Sequence, residues 1–199
     1  QKLLGEGAYG CAWKPGITCK GNTLKNKGLI TKITEIEFLS KNELYIGNLI
    51  NNIKGNDKRF GGVKNFCIVE FNKLINSKLD LNRCENLIGN IEYRNPNLEN
   101  LLESKFFLFY IKYINGRTLY DHFTKNNEII KNNKIYSTKY IHSLYYLLNS
   151  VQLLINKKIV HNDLHYNNIM YNINRKVPII IDFGLSFDKN NFYESENKF

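Results

Sequence analysis

The chain has no pair of cysteines separated by two residues, the spacing that is typical of structural zinc sites. Its four cysteines, Cys11, Cys19, Cys67 and Cys84, are scattered along the first half of the sequence. This scatter argues against a zinc site. We expect the four thiols to be reduced, as is usual for a protein of the cytoplasm.

Long apolar runs and clusters of basic residues are also absent. No apolar run approaches the roughly 20 residues that a membrane helix needs, and no secretory signal is visible, so we expect no membrane partner and a cytoplasmic location. The formal net charge is +10, yet no run of five or six lysines and arginines occurs. The lysines accompany many Asn, Ile, Tyr and Phe residues, as an A/T-rich genome would encode. Nucleic acid is therefore not an expected partner, and no feature predicts an oligomeric state.

Three glycines near the start, Gly5, Gly7 and Gly10, fit the pattern G-x-G-x-x-G. Dinucleotide-binding folds use the same pattern, but there it opens a helix. Here a short strand-like segment follows, and Pro15 opposes a helix that starts at Gly10. The sequence therefore predicts a glycine-rich hairpin whose backbone amides can approach phosphate groups closely. A glycine-rich hairpin without a ligand is the alternative.

A second motif lies near the C-terminus. Asp163 precedes Asn168 by five positions, and a strand-like segment, residues 177–181, leads into Asp182 of an Asp-Phe-Gly sequence. Asp163 can accept a proton from an attacking hydroxyl, and oxygens of Asn168 and Asp182 can bind Mg²⁺ that bridges ATP phosphates. A hairpin should bring Asp182 back opposite Asn168, and His161 should pack near the Phe of Asp-Phe-Gly. Each piece is common by chance, but their order and short separation make the combination specific.

Together the two motifs resemble those of the eukaryotic-type protein kinase domain, in particular the divergent serine/threonine kinases of large DNA viruses. The Gly-Ala-Tyr-Gly-Cys opening and the sequence of residues 181–186, Ile-Asp-Phe-Gly-Leu-Ser, support the viral branch. The resemblance covers most of the chain. It implies an α+β, two-lobed fold: an antiparallel-sheet N-lobe at residues 1–111 and a partial helical C-lobe at residues 112–199, with ATP in the cleft. It also implies transfer of the γ-phosphoryl group of Mg-ATP to Ser or Thr hydroxyls of protein substrates.

The same resemblance implies the roles of individual residues. Asp163, Lys32 and Asn168 would be catalytic, and Asn168 and Asp182 would hold Mg²⁺. Ile111 would precede the hinge, where residues 112–114 offer backbone groups to adenine. The residues implied in nucleotide binding are Gly5, Glu6, Gly7, Ala8, Tyr9, Gly10, Ala12, Lys32, Glu43, Ile111, Lys112, Tyr113 and Ile114.

Lys32 and Glu43 are a candidate ion pair. Residues 28–34 stand where kinases have the strand that carries the nucleotide-binding lysine, which makes Lys32 the candidate. Apolar residues recur every three or four positions over residues 36–53 and predict a helix with Glu43 on its buried face. A buried carboxylate needs a partner, and Lys32 would supply it. In the alternatives, Lys32 faces solvent, Glu43 lies at the edge of the stripe, or Glu43 completes a capping box with Ser40.

The remaining elements follow from apolar patterning. Strands are predicted at residues 66–71 and 106–111, with a surface insertion at about residues 76–104 between them. A helix is predicted over residues 137–157, with its apolar stripe in the core. The stripe comprises Ile141, Leu144, Tyr145, Leu148, Val151 and Leu154.

Two residues depart from the kinase pattern. Asn162 replaces the Arg that pairs with an activation-loop phosphate, so phosphorylation of that loop is not expected to switch activity. His165 replaces a Lys, and Asp-Leu-His-x-x-Asn is similar to the small-molecule phosphotransferases, such as aminoglycoside and choline kinases. A nucleotide-binding pseudokinase is a third alternative. No Ala-Pro-Glu-like motif follows Gly184, so we expect an excerpt that lacks the lower half of the C-lobe. A naturally short kinase without an activation segment is the alternative, and the sequence does not decide whether this chain is active alone.

Overall fold

The computed structural model describes residues 1–7, 10–94, 97–124 and 134–191, and within them the fold is α+β, as predicted. The helices are α1 (Phe38–Asn51), α2 (Phe71–Ile75), α3 (Glu85–Arg94), α4 (Leu98–Glu103), α5 (Leu119–Thr124) and α6 (Lys134–Asn156). The strands are β1 (Lys2–Gly7), β2 (Gly10–Lys14), β3 (Leu29–Glu35), β4 (Phe60–Gly61), β5 (Val63–Glu70), β6 (Lys105–Lys112), β7 (Gly116–Thr118), β8 (Ile159–Val160), β9 (Ile169–Asn172), β10 (Val177–Ile181) and β11 (Phe187–Asp188).

The chain divides into two compact units. The first comprises Gln1–Lys41 and Val63–Tyr113, and the second comprises Asn42–Gly62 and Ile114–Phe199. The division drawn from the sequence differs in residues 42–62, which it kept with the N-terminal part, and in residues 112–113, which it placed in the C-terminal part. Each unit is described separately below.

The first unit is built on a five-stranded antiparallel sheet with the strand order β1-β2-β3-β6-β5. The predicted hairpin around the glycines is present, because β1 and β2 pair with Gly7 opposite Gly10. The strands predicted at residues 28–34, 66–71 and 106–111 correspond to β3, β5 and β6. Short apolar segments, taken in the order that the resemblance implies, were therefore sufficient to locate these strands.

The predicted insertion supplies part of the core of the first unit. Leu87 and Ile91 of α3 are almost fully buried against Trp13 and Ile33 of the sheet and the residues around them. Residues 87 and 91 are one helical turn apart, so they lie on the same face of α3. Burying two such side chains stabilises the fold by about 1.5–3 kcal/mol each. The expectation of a surface excursion is therefore wrong for this helix.

All four cysteines are joined in disulfides within the first unit, so the expectation of reduced thiols is wrong. Cys11 of β2 is bonded to Cys84, and Cys19 is bonded to Cys67 of β5. The Cα atoms are 6.1 Å apart in both pairs. The partners are separated by 73 and 48 residues, so only the folded sheet brings them together. The Cys11–Cys84 bond ties the glycine hairpin to the segment that leads into α3.

The second unit contains a four-stranded sheet with the order β4-β10-β9-β7 and a two-stranded pair of β8 and β11. Its core combines Ile46 and Ile50 of α1, Leu154 of α6, Ile180 of β10 and Phe183. The rings of Phe60 and Phe183 meet edge to face at 6.2 Å between centroids. This core fixes the segment that contains Asp182.

Helix α6 is present as predicted, but its apolar stripe is only partly buried. Leu154 is buried and Val151 is half-buried, whereas the N-terminal part of the stripe is exposed. The exposed fractions are 67% for Ile141, 56% for Leu144, 65% for Tyr145 and 58% for Leu148. Helical spacing identifies one face of a helix but not what covers it, so the predicted burial is wrong for these four. None of the described helices is long and apolar enough to cross a membrane.

We expect the two disulfides to differ in their contribution to stability. Replacing Cys11 and Cys84 by Ala should lower the free energy of unfolding by about 2–5 kcal/mol, because a long loop is released and a buried contact is lost. The matched Cys19→Ala/Cys67→Ala variant should lose less, since Cys19 is exposed. Urea unfolding without reductant measures both. Titration of the unfolded wild-type protein should find no free thiol, and four free thiols would contradict the pairing.

Candidate functional site

The hairpin of β9 and β10 brings Asn168 and Asp182 to the same end of the second unit. Ile180 lies opposite Ile169, and Asn168 directly precedes β9 while Asp182 directly follows β10. The expectation that Asp182 returns opposite Asn168 is therefore confirmed. Two oxygen-bearing side chains at the end of one hairpin are a suitable pair of ligands for a divalent cation.

The Asn168 amide is held against Asp163. Its Nδ2 donates to the Asp163 carbonyl oxygen at 3.0 Å and to the carboxylate Oδ2 at 2.8 Å. The nitrogen must be the atom that faces Asp163, because a second oxygen there would repel the carboxylate. The amide oxygen of Asn168 is thereby turned away from Asp163. One contact thus orients a carboxylate that can accept a proton and an oxygen that can bind a cation.

The backbone is left-handed at two positions beside these residues. Asn162 has φ 59° and Asp182 has φ 60°. A left-handed residue other than glycine costs about 1–2 kcal/mol, and Asn and Asp tolerate it best. This preference explains physically why a short Asn fits at position 162. Residues in this conformation cluster at functional sites.

His161 supports the loop, as predicted. Its ring lies 4.8 Å from that of Phe183, centroid to centroid, and Nε2 lies 3.0 Å from the Ile181 carbonyl oxygen. A carbonyl can only accept, so Nε2 carries the proton in this contact. Burial lowers the pKa of His161, although the Ile181 carbonyl and the nearby Asp182 oppose the shift. Ser186 donates to the His161 carbonyl oxygen at 3.1 Å and closes the loop from the other side.

Asn42 of α1 is a supporting residue that the sequence analysis missed. Its Nδ2 donates to the carbonyl oxygens of Gly184 at 2.9 Å and Ser186 at 2.6 Å. Tyr45, one turn later on α1, donates to Asp188 at 3.0 Å. More than 140 residues separate these partners, so no local pattern could have indicated them. They fix the backbone that follows Asp182.

In the first unit, Ala12, Lys32 and Ile111 lie on one face of the sheet. Ala12 is opposite Lys32, Lys32 is opposite Phe109, and Ile111 is two residues along β6 from Phe109. Because side chains alternate along a strand, these positions share a face. Three residues that the resemblance assigns to one nucleotide are thus side by side on one surface, and Lys32 is half-buried there.

The glycines of the hairpin differ in what the fold requires of them. A Cβ at Gly10 would overlap the carbonyl oxygen of Ile33, so glycine is needed there for strand packing. Among the described residues, a Cβ at Gly5 would meet nothing within 4 Å, and one at Gly7 would meet only the Gly10 carbonyl oxygen at 3.8 Å. Packing therefore does not explain Gly5 and Gly7. Ala8 and Tyr9 lie outside the described residues.

Two residues assigned to the nucleotide have other contacts in the first unit. The Glu6 carboxylate accepts the backbone N–H of Asn86 at 2.6 Å, in the first turn of α3, where a negative charge is favourable. The backbone N–H of Tyr113 donates to the Gly28 carbonyl oxygen at 2.8 Å. The Glu6 side chain and the Tyr113 amide are therefore engaged within the protein, which leaves other backbone groups of the two segments for a nucleotide.

Helix α1 places Glu43 on its buried face, as predicted, with 7% of the residue exposed. Ser40 lies inside the helix, and its hydroxyl donates to the carbonyl oxygens of Glu35 and Glu37. Its Oγ also accepts the backbone N–H of Glu37 at 2.9 Å, just before the helix begins. Ser40 is therefore not the N-cap residue of a box with Glu43, and the capping-box alternative is wrong. The pairing of Glu43 with Lys32 stays a prediction, because the two residues belong to different units.

Glu6, Cys11 and Cys84 lie close together but are not a suitable metal site. In the described part of the chain, Glu6, Cys11 and Cys84 are the one group of three metal-ligating residue types close together, but the two sulfurs form a disulfide and provide no thiolate.

The chain matches no protein-family model and no curated protein.

The lowered pKa of His161 predicts a specific pH dependence. The unfolded chain has the ordinary pKa of about 6.5 and takes up the proton first as pH falls. The stability that His161 contributes is therefore present above about pH 6.5 and is lost as pH falls towards the lower pKa of the folded state. We expect His161→Gln to flatten the fall in the urea midpoint below pH 6.5, measured without Mg²⁺.

The exposed His142 provides the control for this experiment. His142→Gln should leave the pH dependence of the wild-type midpoint unchanged. An equal slope for His161→Gln and the wild type would contradict a buried neutral imidazole at position 161.

Proposed function

We propose that this protein is an ATP-dependent protein kinase that transfers the γ-phosphoryl group of Mg-ATP to Ser or Thr hydroxyls of protein substrates. The observation that carries the proposal is the double contact from the Asn168 amide to Asp163, at the hairpin end that also carries Asp182. It provides an oriented carboxylate and two cation ligands within one short segment. Phosphoryl transfer needs this combination, because catalysis relies on positioning and charge neutralisation.

The residues of the second unit would divide the chemistry between them. Asp163 accepts the proton of the attacking hydroxyl, and its orientation is fixed by Asn168. Asn168 and Asp182 would hold Mg²⁺, which prefers oxygen ligands and few protein side chains. The bound cation would neutralise negative charge on the phosphates. His161 stays neutral and supports the loop without transferring a proton.

The residues of the first unit would bind the nucleotide. Among the described residues, no backbone or side chain crowds the Cβ positions of Gly5 and Gly7, so phosphates can approach the hairpin backbone closely. Lys32 would bind the α- and β-phosphates, and Glu43 would orient it. Ala12 and Ile111, on the same face as Lys32, would line the adenine pocket, and the adenine edge would meet the backbone of Lys112 and Ile114.

The wider architecture supports this function. An antiparallel sheet in the first unit and a β-hairpin with a long helix in the second unit are compatible with a two-lobed kinase-like fold. We place the protein in the host-cell cytoplasm or the virion of a large DNA virus. The two disulfides favour the virion, because a reducing cytosol does not maintain such bonds.

His165 favours a second candidate function, transfer to a small molecule such as an aminoglycoside or choline. The sequence Asp-Leu-His-x-x-Asn at residues 163–168 is the feature shared with that class. The complete glycine hairpin and the intact Asp-Phe-Gly sequence favour a protein substrate. The acceptor therefore has to be tested directly.

Transfer of labelled γ-phosphate by the complete protein tests the proposal. A mixed panel of proteins and, in parallel, aminoglycosides and choline serve as acceptors. We expect label on protein that falls at least about 100-fold in Asp163→Ala, because general-base catalysis is lost. Asp80→Ala, at an exposed carboxylate of the insertion, should keep wild-type activity. Label on a small molecule alone would move the protein to the second function, and no label with ATP bound would contradict both.

The glycines provide a test of nucleotide binding that separates fold from function. Gly7→Ala should retain the wild-type melting temperature, because its Cβ fits, but should bind ATP about tenfold more weakly. Gly10→Ala should lower the melting temperature, because its Cβ overlaps the backbone of β3. Titration calorimetry and thermal unfolding measure the two effects. Unchanged ATP affinity in a folded Gly7→Ala protein would contradict the role of the hairpin.

A further inference from the structure

The two ring nitrogens of His165 have different neighbours. Nδ1 accepts the backbone N–H of Asn167 at 3.3 Å, which caps the short turn of residues 166–168. Nε2 lies 3.7 Å from Oδ1 of Asp163. Because an N–H can only donate, Nδ1 must carry the lone pair, and the proton of the neutral ring is on Nε2. The turn therefore selects the tautomer whose N–H faces Asp163.

The two oxygens of the Asp163 carboxylate consequently face two different donor groups. Oδ2 receives the Asn168 amide at 2.8 Å, and Oδ1 faces the N–H of His165. The carboxylate is 41% exposed, so packing alone does not hold its orientation. A small rotation of the imidazole would bring Nε2 within hydrogen-bonding distance of Oδ1.

We propose that His165 is a positioning residue that, with Asn168, holds the Asp163 carboxylate in the orientation that accepts the proton of the attacking hydroxyl. This inference rests on the proposed function. An imidazole N–H suits the task, because it can orient the carboxylate without a permanent positive charge, which would lower the basicity of the carboxylate more strongly.

Replacing His165 with Asn or with Gln distinguishes this positioning role from a purely structural one. In His165→Asn the side-chain oxygen can replace Nδ1 as the cap of Asn167, but no donor reaches Asp163. In His165→Gln the amide nitrogen reaches about as far as Nε2, while the cap is lost. The first variant therefore keeps the structural contact, and the second keeps the donor.

We expect His165→Asn to retain the wild-type melting temperature and ATP affinity, while kcat falls about tenfold or more, as for the loss of one hydrogen bond to a charged group. His165→Gln should recover most of kcat in spite of a lower melting temperature. Wild-type kcat in a folded His165→Asn protein would overturn the proposal, since capping alone would then explain the residue. If the wild type binds Mg-ATP but transfers nothing, the proposed function is contradicted instead.

The tautomer of His165 can be determined by NMR without measuring catalysis. In ¹⁵N spectra of histidine-labelled protein at neutral pH, with the signal assigned by its loss in His165→Gln, the proton of His165 should be on Nε2. Its Nε2 shift should change in Asp163→Ala. A proton on Nδ1, or an Nε2 chemical shift that is the same in the wild type and in Asp163→Ala, would overturn the positioning role whatever the kinetics show.

Discussion

The pair of hydrogen bonds from the Asn168 amide to Asp163 is the interaction on which the site depends. A half-exposed carboxylate has no fixed orientation in water, and these two bonds give it one. The same bonds leave the amide oxygen of Asn168 turned away from Asp163. The hairpin of β9 and β10 brings Asp182 to the same end, so the residues that we propose to accept a proton and to bind a cation lie in one local segment of the chain.

The local parts of this arrangement could be predicted from the sequence. Short apolar segments in the order that the resemblance implies located β3, β5, β6 and the hairpin of β9 and β10, and helical spacing located α1 and α6. The hairpin was expected to bring Asn168 and Asp182 to one end because their motif resembles one in which such residues share a metal ion. These features are local because strand periodicity, helix periodicity and a short hairpin depend only on neighbouring residues.

The parts that could not be predicted depend on contacts between distant residues. Asn42 binds the backbone after Asp182 across more than 140 residues, and Cys11 meets Cys84 across 73. The insertion was predicted to be a surface excursion because of its Asn, Lys and Pro content, yet Leu87 and Ile91 are part of the core. For α6 the error was the opposite, because residues predicted to lie in the core are exposed. Helical periodicity identifies an apolar face but does not show whether another element packs against it. The sequence also does not distinguish the glycines, because it does not show that Gly10 packs against Ile33 whereas, among the described residues, a Cβ at Gly7 would meet only the Gly10 carbonyl oxygen.

The central claim is that Asn168 and Asp182 hold Mg²⁺ together with ATP, and calorimetric titration of ATP with and without Mg²⁺ tests it most directly. In the wild type, Mg²⁺ should tighten ATP binding. In Asp182→Asn that gain should disappear while binding of ATP without Mg²⁺ is retained, and Asp80→Asn should behave as the wild type. If Asp182→Asn kept the full gain from Mg²⁺, the cation would be bound elsewhere, and the account of this site would be contradicted.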